Sequence, residues 1–346
     1  VQGGPGKLDA WIDFNGDGSW GRPGEQIFAS RDVGVGDNQL SFELPMFELA
    51  GTTYARFRLS TAGGLGVSGA AVDGEVEDYQ VSINDPAAGL GVFSAAQEIS
   101  TLAFGARDVF ATDVDGDGDI DLLSASSSDD KIAWYENDGS QKFTDHNIST
   151  LANGAADVYA ADVDGDGDID VLSASDYDDK IAWYENDGNQ NFAARTISRQ
   201  ANGACSVFVA DVDGDGDSDV LSASRFDDKV AWYENDGSQN FTERTISTTA
   251  DSARSVFAAD IDGDGDTDVL SASRYDNTVA WYENDGNQNF TEQTISTTAS
   301  GAMSVFATDV DGDGDTDVLS ASFSSDQITW YENDGSGSFT THTISN

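Results

Sequence analysis

Cysteine, histidine, proline and basic side chains are all scarce in this sequence. A single cysteine, Cys205, among 346 residues excludes any disulfide within the chain. Two histidines, His146 and His342, are too few for a histidine-rich metal site or a histidine-based catalytic cluster. Only 16 lysines and arginines stand against 64 aspartates and glutamates, a formal charge of −48. Such a chain repels phosphates, so neither nucleic acid nor an anionic membrane surface is an expected partner. No run approaches the ~18 apolar residues of a membrane helix, so no membrane insertion is expected. No signal peptide is visible and the chain starts at Val1, which reads as a processed or trimmed mature segment.

What is present argues for folded β-structure. Charge of this size commonly means disorder. Here 38% of residues are hydrophobic and 10% aromatic, enough for real cores. Thirty-seven glycines against four prolines suit many tight turns. At about 150 residues per domain, the length fits two domains or one large repeat array.

A repeat decides between these. The segment Asp113-Val-Asp-Gly-Asp-Gly-Asp-Ile-Asp121 returns at Asp162, Asp211, Asp260 and Asp309, a constant spacing of 49 residues. A fixed period means one supersecondary unit copied in series. Each copy reads as four short strands, as in Ser255–Ala259, Asp268–Ser273, Thr278–Glu283 and Phe290–Ser296. These runs are rich in Val, Thr, Tyr and Trp, and Asn284-Asp285-Gly286 is a strong turn signal between the last two. No run has a helical period. Four strands in about 40–50 residues match a propeller blade. Trp134, Trp183, Trp232, Trp281 and Trp330 lie mid-strand and are expected to pack between blades.

Residues 1–84 do not follow the period. Strand-like runs at Leu8–Phe14, Leu40–Leu44, Tyr54–Leu59 and Tyr79–Ile83 predict a small β-sandwich. Residues 85–91 read as a linker and residues 92–346 as the propeller. The expected class is therefore all-β: an N-terminal β-sandwich, then a five-repeat β-propeller with four strands per blade.

The acidic loops have the chemistry of a calcium site. Calcium takes six to eight hard oxygens, and alternate carboxylates wrap it when glycine permits a sharp turn. In the first copy Asp113, Asp115, Asp117 and Asp121 would give side-chain oxygens, and Asp119 its carbonyl. The second copy places these at Asp162, Asp164, Asp166, Asp168 and Asp170. The third uses Asp211, Asp213, Asp215, Asp217 and Asp219. The fourth uses Asp260, Asp262, Asp264, Asp266 and Asp268, and the fifth Asp309, Asp311, Asp313, Asp315 and Asp317. An EF-hand would need flanking helices and a Glu at position 12, where the first copy has Ser124. Magnesium or manganese, and a merely solvated acidic turn, are the alternatives. Five carboxylates in nine residues repel one another, which favours a cation. In the N-terminal region Asp13, Asn15 and Asp17 repeat the alternate-oxygen pattern, and Glu25 could supply a late carboxylate, so a sixth calcium is expected there.

These residues carry two family resemblances. The Asp-Val-Asp-Gly-Asp-Gly-Asp-x-Asp loop with its Trp-Tyr-Glu-Asn-Asp-Gly strand and turn resembles the FG-GAP/VCBS repeats of bacterial extracellular proteins, over about residues 93–346. The literal Phe-Gly…Gly-Ala-Pro string is missing, and there are five copies where seven are common. Trp11-Ile-Asp13-Phe-Asn15-Gly-Asp17, Gly24-Glu25 and Asp73-Gly-Glu75-Val-Glu77-Asp78-Tyr79 resemble the GEVED domain of bacterial secreted and surface proteins. The resemblance implies a secreted or cell-surface, calcium-binding structural or adhesion protein; assembly into extracellular fibres is a further expectation, from the strand count. A calcium-dependent carbohydrate-binding propeller is the alternative. Partners would be the protein itself, head to tail, or an extracellular glycan or protein.

Catalysis is not expected. His146 and His342 share a slot with Arg195, Arg244 and Gln293, which reads as solvent-facing. Cys205 shares one with Arg107, Ala156, Arg254 and Met303, and no histidine can be placed beside it. The copies also differ just after Ser-Ala-Ser, at Ser127-Ser128, Asp176-Tyr177, Arg225-Phe226, Arg274-Tyr275 and Phe323-Ser324. If the propeller binds a sugar or a protein, that face is the candidate, since aromatics and arginine favour such contacts. Finally, Phe93–Thr101 resembles a fourth strand ahead of the first copy. That gives six such strands for five blades, and a spare strand that could join a neighbouring chain.

Overall fold

The computed structural model describes residues 6–14, 20, 25–36, 38, 40, 51–69, 73–83 and 97–345. The chain divides into two compact units, residues 1–96 and 97–346. No helix is found among the described residues.

In the first unit, β1 (Gly6–Ile12), β2 (Gln26–Val33), β3 (Gly51–Ser60) and β4 (Glu75–Ile83) form one antiparallel sheet in the order β2-β1-β3-β4. Among the described residues these four strands make a single sheet. β2 was not legible as a strand, because its QIFASRDV run alternates poorly. The predicted Leu40–Leu44 strand and the 85–91 linker lie outside the described residues. Ile12, Phe14 and Ala55 make a small core.

The second unit is five copies of one four-stranded antiparallel meander. The first blade is β5 (Ala106–Thr112), β6 (Asp121–Ser126), β7 (Lys131–Asn137) and β8 (Phe143–Ser149). The fourth is β17 (Ala253–Ala259), β18 (Asp268–Ser273), β19 (Thr278–Asn284) and β20 (Phe290–Ser296), within two residues of the sequence reading. Side chains alternate between the two faces of each blade, and both faces are apolar. Leu123, Ile132 and Trp134 of blade one pack against Val158, Val171 and Tyr184 of blade two. The same seam recurs between blades two and three, three and four, and four and five. Trp134, Trp183, Trp232 and Trp281 therefore do sit between blades, while Trp330 lies on the last blade, outside any seam. Along the first strands Phe110, Tyr159, Phe208, Phe257 and Phe306 form a ladder with ring centroids 4.5–4.9 Å apart.

Four seams join five blades, and among the described residues none joins the fifth to the first. Val109 is 69% exposed, whereas its counterparts Val158, Val207, Val256 and Val305 are 1–4% exposed. On the last blade Ile328 is 42% exposed, against 0% for Ile132, Ile181, Val230 and Val279. The row of blades is open. The expected spare strand is not formed where it is described: residues 97–101 have no strand, and 93–96 lie outside the described residues. What is spare is two blade faces, not a strand.

Candidate metal centres

Each acidic loop joins the first strand of a blade to the second. Gly116 and Gly118 have φ of 74° and 97°, a region open to glycine and strained for other residues. Space would allow a side chain at both, so backbone conformation sets the requirement. The turn is closed by its own carboxylates. Asp113 accepts the Gly116 and Gly118 N–H groups at 2.8 and 2.9 Å, Asp115 accepts the Asp117 N–H at 3.2 Å, and Asp117 that of Asp119 at 2.9 Å.

Position 9 is the anchor. Asp121 is fully buried. Its Oδ2 accepts the Val114 N–H at 3.1 Å and the Trp134 indole N–H at 2.9 Å, and its Oδ1 accepts the Asn137 N–H at 2.7 Å. One carboxylate thus ties the loop to the seam tryptophan and to the Asn-Asp-Gly turn. The backbone bonds recur at Asp170, Asp219, Asp268 and Asp317.

Of the five aspartates in each loop, the fold converges three. Oxygens of Asp113, Asp115 and Asp121 lie within 4.8 Å of one another, as do those of Asp162/Asp164/Asp170, Asp211/Asp213/Asp219, Asp260/Asp262/Asp268 and Asp309/Asp311/Asp317. Asp117, Asp119 and their counterparts stand outside these triads. Asp119 is turned against Gly139, where a Cβ would meet its carboxylate at 2.4 Å; Asp168, Asp217, Asp266 and Asp315 face their own turn glycines likewise.

The triads are electrostatically uncomfortable without a cation. Burial pushes Asp170 and Asp219 up to about 6 and Asp268 to about 7. Burial also raises Asp115, Asp164, Asp213 and Asp262, with repulsion from neighbouring loop carboxylates adding to it. Among the described residues no lysine or arginine pairs with a triad carboxylate. Hard, clustered, unpaired oxygens fit a divalent cation of the calcium type.

In the first unit, Asp13 and Glu25 are both buried, and the Ile12 N–H donates to the Glu25 carbonyl at 2.9 Å, which brings the two acids' strand ends together. Asn15 and Asp17 lie outside the described residues. Glu75 and Glu77 are exposed on β4. Asp78 is held in two 2.7 Å bonds by Arg56, which lowers its pKa.

The histidine slot has a use the sequence did not reveal. His146 stacks on Trp134 with centroids 4.6 Å apart and meets Glu136 at 2.7 Å; His342 does the same on Trp330 and Glu332. Arg195 and Arg244 cover Trp183 and Trp232 and pair with Glu185 and Glu234. The slot is a half-buried lid on the tryptophan, and its signal was the Glu two residues after each Trp. Cys205 is pushed up to about 12, first by burial, so it is a neutral thiol; it donates to the Ala253 carbonyl at 3.1 Å.

Comparison with known proteins follows this geometry. Residues 113–173, 162–222, 211–271, 260–320 and 309–346 match the FG-GAP-like repeat, and residues 7–82 match the GEVED domain. No curated protein matches the chain. Among solved structures, a functionally unknown protein from Desulfotomaculum acetoxidans is 12% identical, with 83% of this chain and 75% of that one covered and a TM-score of 0.51. The periplasmic gluconolactonase PpgL of Pseudomonas aeruginosa is 13% identical, with 99% and 95% covered and a TM-score of 0.50. At these identities the likeness is one of fold alone. The repeats span well over half of the chain, and with their acidic triads and four-stranded blades it belongs to the FG-GAP-like repeat proteins, with a GEVED domain ahead of the repeats.

Proposed function

We propose that this chain is a calcium-binding structural or adhesion module, secreted or held at a bacterial cell surface, which associates head to tail with copies of itself. Binding and not catalysis is its role. One observation carries the assembly: the two exposed end faces are the two halves of a seam that the chain builds four times internally. The trailing face of blade five bears Ile328 and Ile344, and the leading face of blade one bears Ala106, Val109 and Ala111. Docking one on the other would continue the row across chains, and contacts of this kind that do not close make filaments. Calcium enters through the loops, since each seam is built on position-9 aspartates that the ion would keep ionised.

Light scattering and electron microscopy in millimolar calcium test this reading. The expected result is concentration-dependent growth that Val109→Glu or Ile328→Glu abolishes. A full chain that stays monomeric with calcium bound would overturn it.

A second reading, a carbohydrate-binding propeller, is favoured by a row of exposed rings. Tyr177, Phe226, Tyr275 and Phe323 stand on the same loop of four consecutive blades, each 60–67% exposed.

A further inference from the structure

The five copies agree almost everywhere, and the fold gathers several of their differences in one place. The Cys205 slot, which holds arginine in blades one and four, is followed by Asp108, Asp157, Ser206, Ser255 or Ser304. These two slots, together with Arg225 and Arg274 from the variable loop after Ser-Ala-Ser, line one groove of about 670 Å³. The groove crosses the starts of the blades' first strands, at the end away from the acidic loops. A seven-residue strand separates the two ends by ~20 Å.

The groove gathers arginine in a very acidic chain, with Asp108 and Asp157 beside it. Four arginines line it: Arg107, Arg225, Arg254 and Arg274. Arg225 is spent on Asp176, which it holds in two bonds of 2.9 and 2.7 Å, with Arg107 3.8 Å from the same carboxylate. Arg254 and Arg274 have no ion pair among the described residues, although the chain has 64 acidic side chains to offer. The Arg254 Nε is buried without an acceptor. Burial lowers the Arg254 pKa, and the facing Arg225 and Arg274 lower it further. On the acidic side of the groove, burial and the facing Asp108 push the Asp157 pKa well up. A desolvated guanidinium cluster of this kind is a receptor for an anion.

The rim supplies the second half of the recognition. The Arg225 guanidinium lies 4.1 Å over the Phe226 ring. Arg274 sits between Tyr275 and Phe323, 5.8 and 5.5 Å from their centroids. Flat, exposed aromatic faces beside charged donors suit a ligand with one apolar face and polar edges. A pyranose ring has that shape, and an acid group on it would reach the arginines.

We infer that this groove binds an anionic sugar residue, a hexuronate or its sulfated equivalent, with Arg254 and Arg274 on the acid group and Tyr275 against the ring face. The inference rests on the carbohydrate-binding reading and needs neither the assembly nor an ion at the groove.

Calorimetric titration of the full calcium-loaded chain tests it. The probes are a hyaluronan tetrasaccharide, its carboxyl-reduced form, a chondroitin sulfate tetrasaccharide and sodium sulfate. The carboxylated or the sulfated tetrasaccharide is expected to bind at least about tenfold more tightly than the reduced form, the worth of one charged hydrogen bond. Arg254→Gln and Tyr275→Ala should each cost about tenfold. Tyr275 is exposed, so its variant decides the matter if Arg254→Gln fails to fold. Equal binding of the reduced sugar would overturn the inference and leave the carbohydrate reading standing. Binding of none of the sugars would overturn both. Acid-sugar binding that neither variant weakens, or sulfate alone binding as tightly as the sugars, would also overturn it.

Discussion

Asn284 donates its side-chain amide to the carbonyl of Val212, 3.0 Å away in the blade before it. Val212 is the second residue of the third acidic loop. Asn235 and Asn333 make the same bond to Val163 and Ile261, at 3.2 and 2.7 Å. In the second loop the next blade adds Ser218 on the Asp162 carbonyl and Gln239 on the Asp164 carboxylate. The second, third and fourth acidic loops are therefore each tied to the following blade. Asn284→Ala should cost about 1–3 kcal/mol, the range for stranding a buried partner. It should also weaken calcium at the third loop, and at the fourth, whose Thr267 carbonyl accepts from the same amide at 3.1 Å, while the second loop keeps its own. Urea unfolding with a site-resolved calcium titration checks this. Unchanged affinity at the third loop would show that loops and seams act separately.

Removing calcium should destabilise the repeats strongly. Five Ca²⁺ would take the formal charge from −48 to −38, and an ion bound only by the folded state stabilises it by mass action. The expected outcome in excess EDTA is a melting temperature lower by about 10 °C or more. A melt that EDTA leaves unchanged would remove the ions from this account.

The metal-free protein should respond to pH in the opposite sense to most acidic folds. Asp170 and Asp219 at about 6 and Asp268 at about 7 lie above the ordinary carboxylate value of ~4. The folded state then holds these protons more tightly than the unfolded state. Their contribution is present below about pH 4 and is lost as pH rises through about 6–7. Calcium-free melts by circular dichroism should drop between pH 4.5 and 7.5, and calcium should flatten or reverse the trend. A calcium-free melt that rises over this range would contradict the burial argument.

The open row predicts unequal tryptophans. Trp232 is fully buried in a seam, whereas Trp330 faces the open end and is half-buried. Trp232→Ala should cost about 3–5 kcal/mol and Trp330→Ala clearly less in the isolated chain. Denaturant unfolding of the two variants at low concentration makes the comparison, and equal losses would mean that the last blade is covered after all.

Much of this was legible in the sequence because the repeat is so exact. The 49-residue period, the four strands and the mid-strand tryptophans all follow from local patterns that the copies state five times. The acidic loops were legible too, since alternate carboxylates with glycine have few other uses. Convergence was not. Sequence spacing could not separate Asp113, Asp115 and Asp121 from Asp117 and Asp119, because loop closure decides which carboxylates turn inward. Nor could it show that Asp121 serves Trp134 and Asn137 at once. The histidine slot read as solvent-facing because its occupants are polar, and they are about half exposed, yet both histidines also stack on tryptophan and Arg195 and Arg244 cover theirs. The groove arginines stand well apart in the chain, and only the stacking of blades puts Arg225, Arg254 and Arg274 face to face.

With no seam among the described residues between the fifth blade and the first, the number of blades is not a geometric constant here. A closed ring admits only the count that lets its last joint form. In an open row, inserting one more 49-residue unit between any two blades adds one joint of the existing kind and leaves both ends as they were. Deleting one does the reverse. Reach can then be set in steps of a single blade, and chains of different lengths keep the same two end faces.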